Sequence, residues 1–416
     1  MNHRLLYLIL IALGFHSCSK NGITLPPHNP DTNLINTDFI PDTVMKKMEG
    51  IYTLSGGITD LGTQFVCKIS KFKVSFFSNE SGIFIILGYG FNATDSSIQF
   101  SGFWRYSEAA TQGIIHFSVP KTDGASDLLL NGIATQLKLT GGLGDQQGSN
   151  QSITLQFSRP FSQYVQTHEF TIFAHHGVLT TANPPYAQNS INGALHDEDY
   201  GVDGLEFDIR LTKDHVPICM HDGAFDTRLT EKGPLYGDFS QYSFAFLESF
   251  VRLVDGQKIP SLEQILNVFI DSTNMKYMWM DIKGDPDVFK YLEPIVRNAY
   301  AYAASKNRNV VLFADLPSQE VIAEFQQQPS YGADLPSMCE QSFQDVINNK
   351  SQYFGPRFSL GLLSDDVNKA HSMGIKVFSW TLNDKVIIQD YLQNGNFDGF
   401  ISDYPAYVVY DYYALK

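Results

Sequence analysis

At 416 residues the chain exceeds what one ordinary core organises, and a soft prior of about 150 residues per domain gives two or three structural units. Apolar residues at 43%, aromatics at 13% and charged residues at 18% supply ample core material and exclude a chain disordered throughout. With 29 Lys and Arg against 44 Asp and Glu, the net charge of −15 repels nucleic acid and anionic lipid, so an anionic substrate needs a local cation at its site.

His3 and Arg4 precede an apolar run from Leu5 to Phe15 that reaches Ser17-Cys18-Ser19, the layout of a bacterial lipoprotein signal with Cys18 as the lipidated residue. The run is too short for a bilayer core of ~30 Å, which takes about 20 helical residues. The expectation is a signal over 1–18 and a cell-envelope protein, lipid-anchored to the outer membrane and periplasmic or surface-exposed. The other cysteines, Cys67, Cys219 and Cys339, are too scattered for a disulfide framework or a zinc site. Residues 19–45 carry Pro26, Pro27, Pro30 and Pro41 without apolar periodicity and read as a tether.

From Gly50 the pattern turns to period-two alternation, as in Phe65, Cys67 and Ile69 or Ile98, Phe100, Gly102 and Trp104. Gly, Asn, Asp and Ser clusters interrupt it at short spacing. The span 46–158 therefore predicts an all-β sandwich or barrel of about 110 residues without helices. It carries no chemical motif, its aromatics read as core, and a glycan or a lipid is the ligand class to consider for it.

Beyond Pro160, apolar strands alternate with amphipathic stretches. Ile172 to Ala174, Gly204 to Ile209, Tyr277 to Ile282, Val310 to Ala314, Ile375 to Trp380 and Gly399 to Ser402 read as buried strands. Leu262 to Phe269, Asp365 to Met373 and Lys385 to Gln393 read as helices. Such alternation implies a parallel sheet under a layer of helices, and 168–416 has the ~250 residues of a (β/α)8 TIM barrel. Its fifth and sixth strands fall somewhere in Tyr331 to Cys339 and Tyr353 to Leu362.

Polar residues gather at the strand ends of this half, where barrel active sites are built. The first strand runs into His175-His176-Gly177. The second ends Leu205-Glu206-Phe207-Asp208, and alternation puts Glu206 and Asp208 on one face, where two carboxylates repel unless a cation lies between them. Asp281 and Lys283 repeat the spacing on the next long strand, and Val216 to Met220 brings His221 toward the same mouth. Oxygen ligands without cysteine suit one hard divalent cation, Ca²⁺ or Mg²⁺, rather than zinc, and two histidines beside it supply a base and an acid near neutral pH.

Taken together, these segments resemble the glycerophosphodiester phosphodiesterase family across 170–408. Ala174-His175-His176-Gly177 is similar to its opening motif, Gln188-Asn189-Ser190 to the segment that follows, and Gly201 through Asp214 to its long central signature. Pro217 to Asp222, Ile259 to Glu263, Gly374 to Asp384 and Asp398 to Pro405 resemble later segments in order. The resemblance implies His175 and His221 as the acid–base pair and Glu206, Asp208 and Asp281 as metal ligands. It also implies His176, Gln188, Asn189 and Lys283 around the substrate, Lys283 on its phosphate, with Trp380 as a pocket wall.

Three positions depart from the family pattern. His176 stands where the family has Arg and lacks its bidentate, always-charged fork. Gln188 replaces Glu, and Asp281 is one methylene shorter than the usual Glu. The function implied is metal-dependent hydrolysis of a small-molecule glycerophosphodiester to a glycerol phosphate and an alcohol. The alternatives are a related phospholipase C or D-like barrel lyase on lipid headgroups, or a catalytically degenerate surface binding lipoprotein.

Overall fold

The structure, a computed structural model, describes residues 23–26, 34–57, 61–80, 82–144, 150–177, 184–285, 287–328 and 335–416. The signal segment with Cys18 and much of the tether lie outside the described residues. Among the described residues no helix is long and apolar enough to cross a membrane.

The alternating run resolves into eight antiparallel strands: β1 (Gly50–Gly56), β2 (Gln64–Ser70), β3 (Lys73–Ser78), β4 (Ile83–Asn92), β5 (Ser97–Tyr106), β6 (Gln112–Val119), β7 (Lys138–Gly144) and β8 (Asn150–Arg159). Each pairs with the next, and β8 returns to β1, with Leu54 opposite Leu155, so the sheet closes into a barrel. Of the two architectures that alternation allows, closure selects the barrel and removes exposed sheet edges. The interior is packed with side chains such as Tyr52, Phe65, Phe76, Phe100 and Leu155, and Trp104 is buried with its indole N–H donated to the Gly144 carbonyl at 3.0 Å. Two short helices belong to this half despite the expectation of none. One, Asp42–Met45, lies in the stretch read as tether, where Met45 is fully buried; the other is Ala125–Asn131.

The second half is an eight-stranded parallel barrel. Its strands are β9 (Thr171–Ala174), β10 (Gly204–Leu211), β12 (Tyr277–Ile282), β13 (Val311–Leu316), β14 (Ser337–Cys339), β15 (Tyr353–Phe354), β16 (Lys376–Ser379) and β17 (Gly399–Ser402), with β17 pairing back onto β9. A short β11 (Pro217–Cys219) adds antiparallel to β10 and carries the chain back to His221 at the mouth. Helices cover the outside. In Leu262–Ser272 the apolar residues Leu262, Ile265, Leu266, Phe269 and Ile270 recur at helical spacing and are buried, and Ser261 with Gln264 closes a capping box that fixes its start. The barrel centre is filled by aromatics, Phe173, Tyr277, Trp279, Phe313 and Phe378, which form a floor beneath the strand ends.

The two barrels share a core. Ile51, Val66, Phe77, Phe84 and Ile86 on the outside of the first join one apolar cluster with Tyr200, Tyr407 and Val409 of the second. Around it Lys68 reaches the Tyr413 hydroxyl at 2.5 Å, and Ser70 donates to Asp199 at 2.7 Å. Cys67, Cys219 and Cys339 are free and buried.

Candidate active site

At the end of β9 the chain turns sharply: His176 adopts φ 55° and Gly177 φ 56°, a region that disfavours side chains. A Cβ on Gly177 would lie 2.3 Å from the Phe207 ring, so only glycine fits. The turn stacks the His175 and His176 rings 3.6 Å apart and sets His221 edge-on to His176 at 4.9 Å.

Parallel pairing of β10 with β12 places Asp208 opposite Asp281 in register, and Glu206 precedes Asp208 on the same face. One oxygen from each of Glu206, Asp208 and Asp281 comes within 4.8 Å of the others. Lys283 answers part of this charge, with Nζ 2.7 Å from Asp208 and 2.5 Å from Asp281. Three carboxylates against one ammonium leave the cluster short of positive charge. Burial, then the neighbouring Asp208 and Asp281, push the Glu206 carboxyl well above its ordinary range, and its Oε1 is buried without a hydrogen-bond partner. Asp208 also feels burial, but His176 and Lys283 outweigh it and hold the group well below its usual range. An orphaned carboxylate oxygen beside two more oxygen ligands fits a hard divalent cation.

The sequence-predicted residues divide by position. His175, His176, Glu206, His221, Asp281, Lys283 and Trp380 line one cavity of about 530 Å³ at the barrel mouth. Asp208 lies beneath it, fully buried. Asn189 does not reach the cavity; it sits under Asp208, accepting from the Asp208 backbone N–H at 2.9 Å and donating to its side chain at 2.5 Å. Gln188 is likewise away from the cavity, accepting from Arg228 at 3.1 Å. Both were expected on the substrate and instead brace what surrounds it. His176 is committed as well: its backbone N–H donates to Glu206 at 2.6 Å and its Nδ1 pairs with Asp208 at 2.8 Å. Burial, then the adjacent His175, lower its pKa to about 4 against the opposing pull of Asp208, so the ring is neutral at physiological pH. A neutral ring braced on the carboxylates does not replace an arginine on phosphate.

Sequence reasoning missed the partners of His175 and His221. His175 Nδ1 lies 2.6 Å from Asp403, which follows β17 and is itself held by the Asn383 amide at 2.6 Å. His221 Nδ1 lies 2.6 Å from Asp222, which is gripped by Arg228 at 2.7 and 2.8 Å. In both rings the carboxylate fixes the proton on Nδ1 and leaves Nε2 for chemistry. Burial raises both aspartates, but hydrogen bonds from His175 to Asp403, and from Asp226, His221 and Arg228 to Asp222, prevail and keep each carboxyl below its ordinary range.

A TIM barrel whose mouth gathers two carboxylate-oriented histidines and three clustered carboxylates has the groups that hydrolysis of an ester can use. The model of the glycerophosphoryl diester phosphodiesterase family matches residues 181–407, and the chain belongs to that family of phosphoric diester hydrolases. It is 25% identical over 223 residues to YhdW of Bacillus subtilis (strain 168), covering 50% of this chain and 86% of that protein. To the glycerophosphodiester phosphodiesterase of Caldanaerobacter subterraneus subsp. tengcongensis it is 21% identical over 241 residues, covering 57% and 96%. Among solved structures, a glycerophosphodiester phosphodiesterase from Parabacteroides distasonis is similar at TM-score 0.48 and 19% identity, over 59% of this chain and 98% of that one. An Oleispira antarctica phosphodiesterase, solved with the product sn-glycerol-3-phosphate, is similar at TM-score 0.44 and 16% identity, over 57% and 94%.

Proposed function

We propose that the protein hydrolyses glycerophosphodiesters to a glycerol phosphate and an alcohol with the help of one divalent cation, Ca²⁺ ahead of Mg²⁺. The observation that carries the reading is the pair His175–Asp403 and His221–Asp222 at the rim of a cavity whose base is Glu206, Asp208 and Asp281. Bound to those three carboxylates, the cation supplies a Lewis-acid contact for a phosphoryl oxygen.

The remaining chemistry falls to the chain's own groups. One histidine takes the proton of the attacking hydroxyl at Nε2, and the other gives a proton to the departing alkoxide, each ring held by its aspartate. Lys283, half-buried and pushed above its ordinary pKa because Asp281 and Asp208 outweigh the cost of desolvation, keeps its charge near the phosphate across the working range. Asn189 and His176 fix the rotamer of Asp208, so the ligand set is assembled before substrate arrives. Trp380, its indole N–H donated to the Gly355 carbonyl at 2.8 Å, forms a rigid wall.

The test is release of glycerol phosphate from deacylated phospholipid headgroups with Ca²⁺ or Mg²⁺, set against a chelator and against His221→Ala. Activity that survives both controls refutes this mechanism.

We further propose that the protein is a lipoprotein anchored through Cys18 in the cell envelope, which sets the enzyme beside a source of lipid-derived diesters. The run from Leu5 to Phe15 ahead of Ser17-Cys18-Ser19 supports it. Labelled fatty acid that enters the parent but not Cys18→Ser supports the anchor, and equal labelling overturns it.

A further inference from the structure

One part of the cavity wall takes no part in the chemistry described above. Glu340, immediately past β14, and Arg357, which follows β15, line it together with Trp279, Trp380 and Pro317. Behind Glu340 stands Asp315, near the end of β13 and fully buried. The Trp279 indole N–H donates to one Asp315 oxygen at 3.2 Å, and the other Asp315 oxygen is buried without a hydrogen-bond partner. Arg357 lies over the Trp380 ring, 4.5 Å from its centroid, which holds the guanidinium flat and leaves its edge donors for hydrogen bonding.

A fully buried carboxyl with an unpaired oxygen costs stability unless something requires it. Phosphate does not require it, because an acidic wall repels an anion. A group bearing several hydroxyls does: each hydroxyl both donates and accepts, and the wall offers a carboxyl acceptor beside a guanidinium donor. A quaternary ammonium carries no hydrogen-bonding group and would leave the Glu340 acceptor and the Arg357 donors unpaired, and one face of Trp380, the aromatic surface it would seek, is already covered by Arg357.

We propose that Glu340, backed by Asp315, and Arg357 form a subsite for a polyhydroxylated alcohol, the group esterified to the phosphate opposite the glycerol, and disfavour a quaternary ammonium there. This rests on the phosphodiesterase reading above. A site built to hydrogen-bond hydroxyls discriminates strongly against a group without them, because its own polar atoms are then left unpaired.

The full chain, loaded with Ca²⁺, is compared on glycerophosphoinositol and glycerophosphocholine by kcat/KM for release of glycerol phosphate. The inositol diester is expected to be favoured by at least about tenfold, and Glu340→Gln and Arg357→Met each to reduce that ratio severalfold. Equal rates, or a preference for choline, in the unaltered enzyme overturn the subsite and leave the phosphodiesterase reading intact, with no dependence on how a variant folds. Equal losses on both substrates in the variants also overturn it, since the pair would then read the shared glycerol. Cleavage of neither substrate overturns the phosphodiesterase reading itself.

Discussion

Replacing Asp403 by Asn keeps the size of the group that orients His175 and removes its charge. The His175 Nδ1 to Asp403 separation is 2.6 Å, and the Asp403 side chain is 21% exposed. With an effective dielectric of about 20 and charge centres ~4 Å apart, the carboxylate stabilises a protonated imidazole by up to about 4 kcal/mol. Water reaching the group and the hydrogen bond that the amide retains lower this to about 2–3 kcal/mol, or roughly 30- to 150-fold in kcat. KM should change by less than about twofold, because the charge on the ring develops only as the reaction proceeds. Initial rates of glycerol phosphate release, read through a coupled dehydrogenase on protein with an unchanged circular dichroism spectrum, measure both constants. A loss smaller than about threefold, or one carried by KM alone, refutes the claim that Asp403 sets the state of His175. Asp222→Asn is the matched case: His221 is 37% exposed against 24% for His175, so its loss should be the smaller, about tenfold.

Glu206→Gln should abolish the rise in melting temperature that Ca²⁺ gives the parent, which corresponds to about 2.7 kcal/mol at a hundredfold excess over Kd. It should also leave the metal-free protein no less stable, because it removes a charge from a buried, partly orphaned carboxyl; calorimetry with and without Ca²⁺ decides both. His176→Arg, which would restore the family's residue, is expected to lower kcat/KM by more than about tenfold, because it removes the ring whose Nδ1 pairs with Asp208 at 2.8 Å and which stacks on His175. A gain in rate would show that the position still faces phosphate. Glu169, held by Lys276 at 2.7 Å, Lys376 at 2.8 Å and the Tyr277 hydroxyl at 2.9 Å, has its pKa lowered from 4.5 to about 2 chiefly by the hydrogen bonds from the two lysines. A depressed carboxyl contributes stability above its unfolded value and loses it as pH falls through the folded one. Glu169→Gln should therefore cost about 1 kcal/mol at pH 7, after discount for its exposure, and nothing near pH 2, as followed by urea unfolding at both values.

The sequence disclosed most where neighbours in space are also neighbours in the chain. Glu206 and Asp208 share a face because of strand periodicity, and Asp281 joins them through a long, recognisable strand. Asp403 and Asn383 were invisible as a pair with His175, since that contact joins positions 228 apart, although Asp403 does sit at the end of a readable strand. Glu340 and Arg357 were hidden for a different reason. β14 and β15 have three and two residues, too few to display a period, so their ends could not be located closely enough to notice what stood there. Brevity also concealed Asp42–Met45 and Ala125–Asn131. The family resemblance sets Asn189 and His176 around the substrate, but a motif match alone does not tell a group that meets a ligand from one that braces the group beside it.

The apolar cluster common to both barrels makes the stretch from Arg159 to Phe170 a seam rather than a hinge. Cutting there would strip cover from Phe77 and Phe84 on one side and from Tyr200, Tyr407 and Val409 on the other, exposing a surface prone to aggregation. The length that first suggested two or three separable units therefore gives two barrels expected to unfold as one: heating should produce a single cooperative transition, and neither barrel should be soluble when made alone.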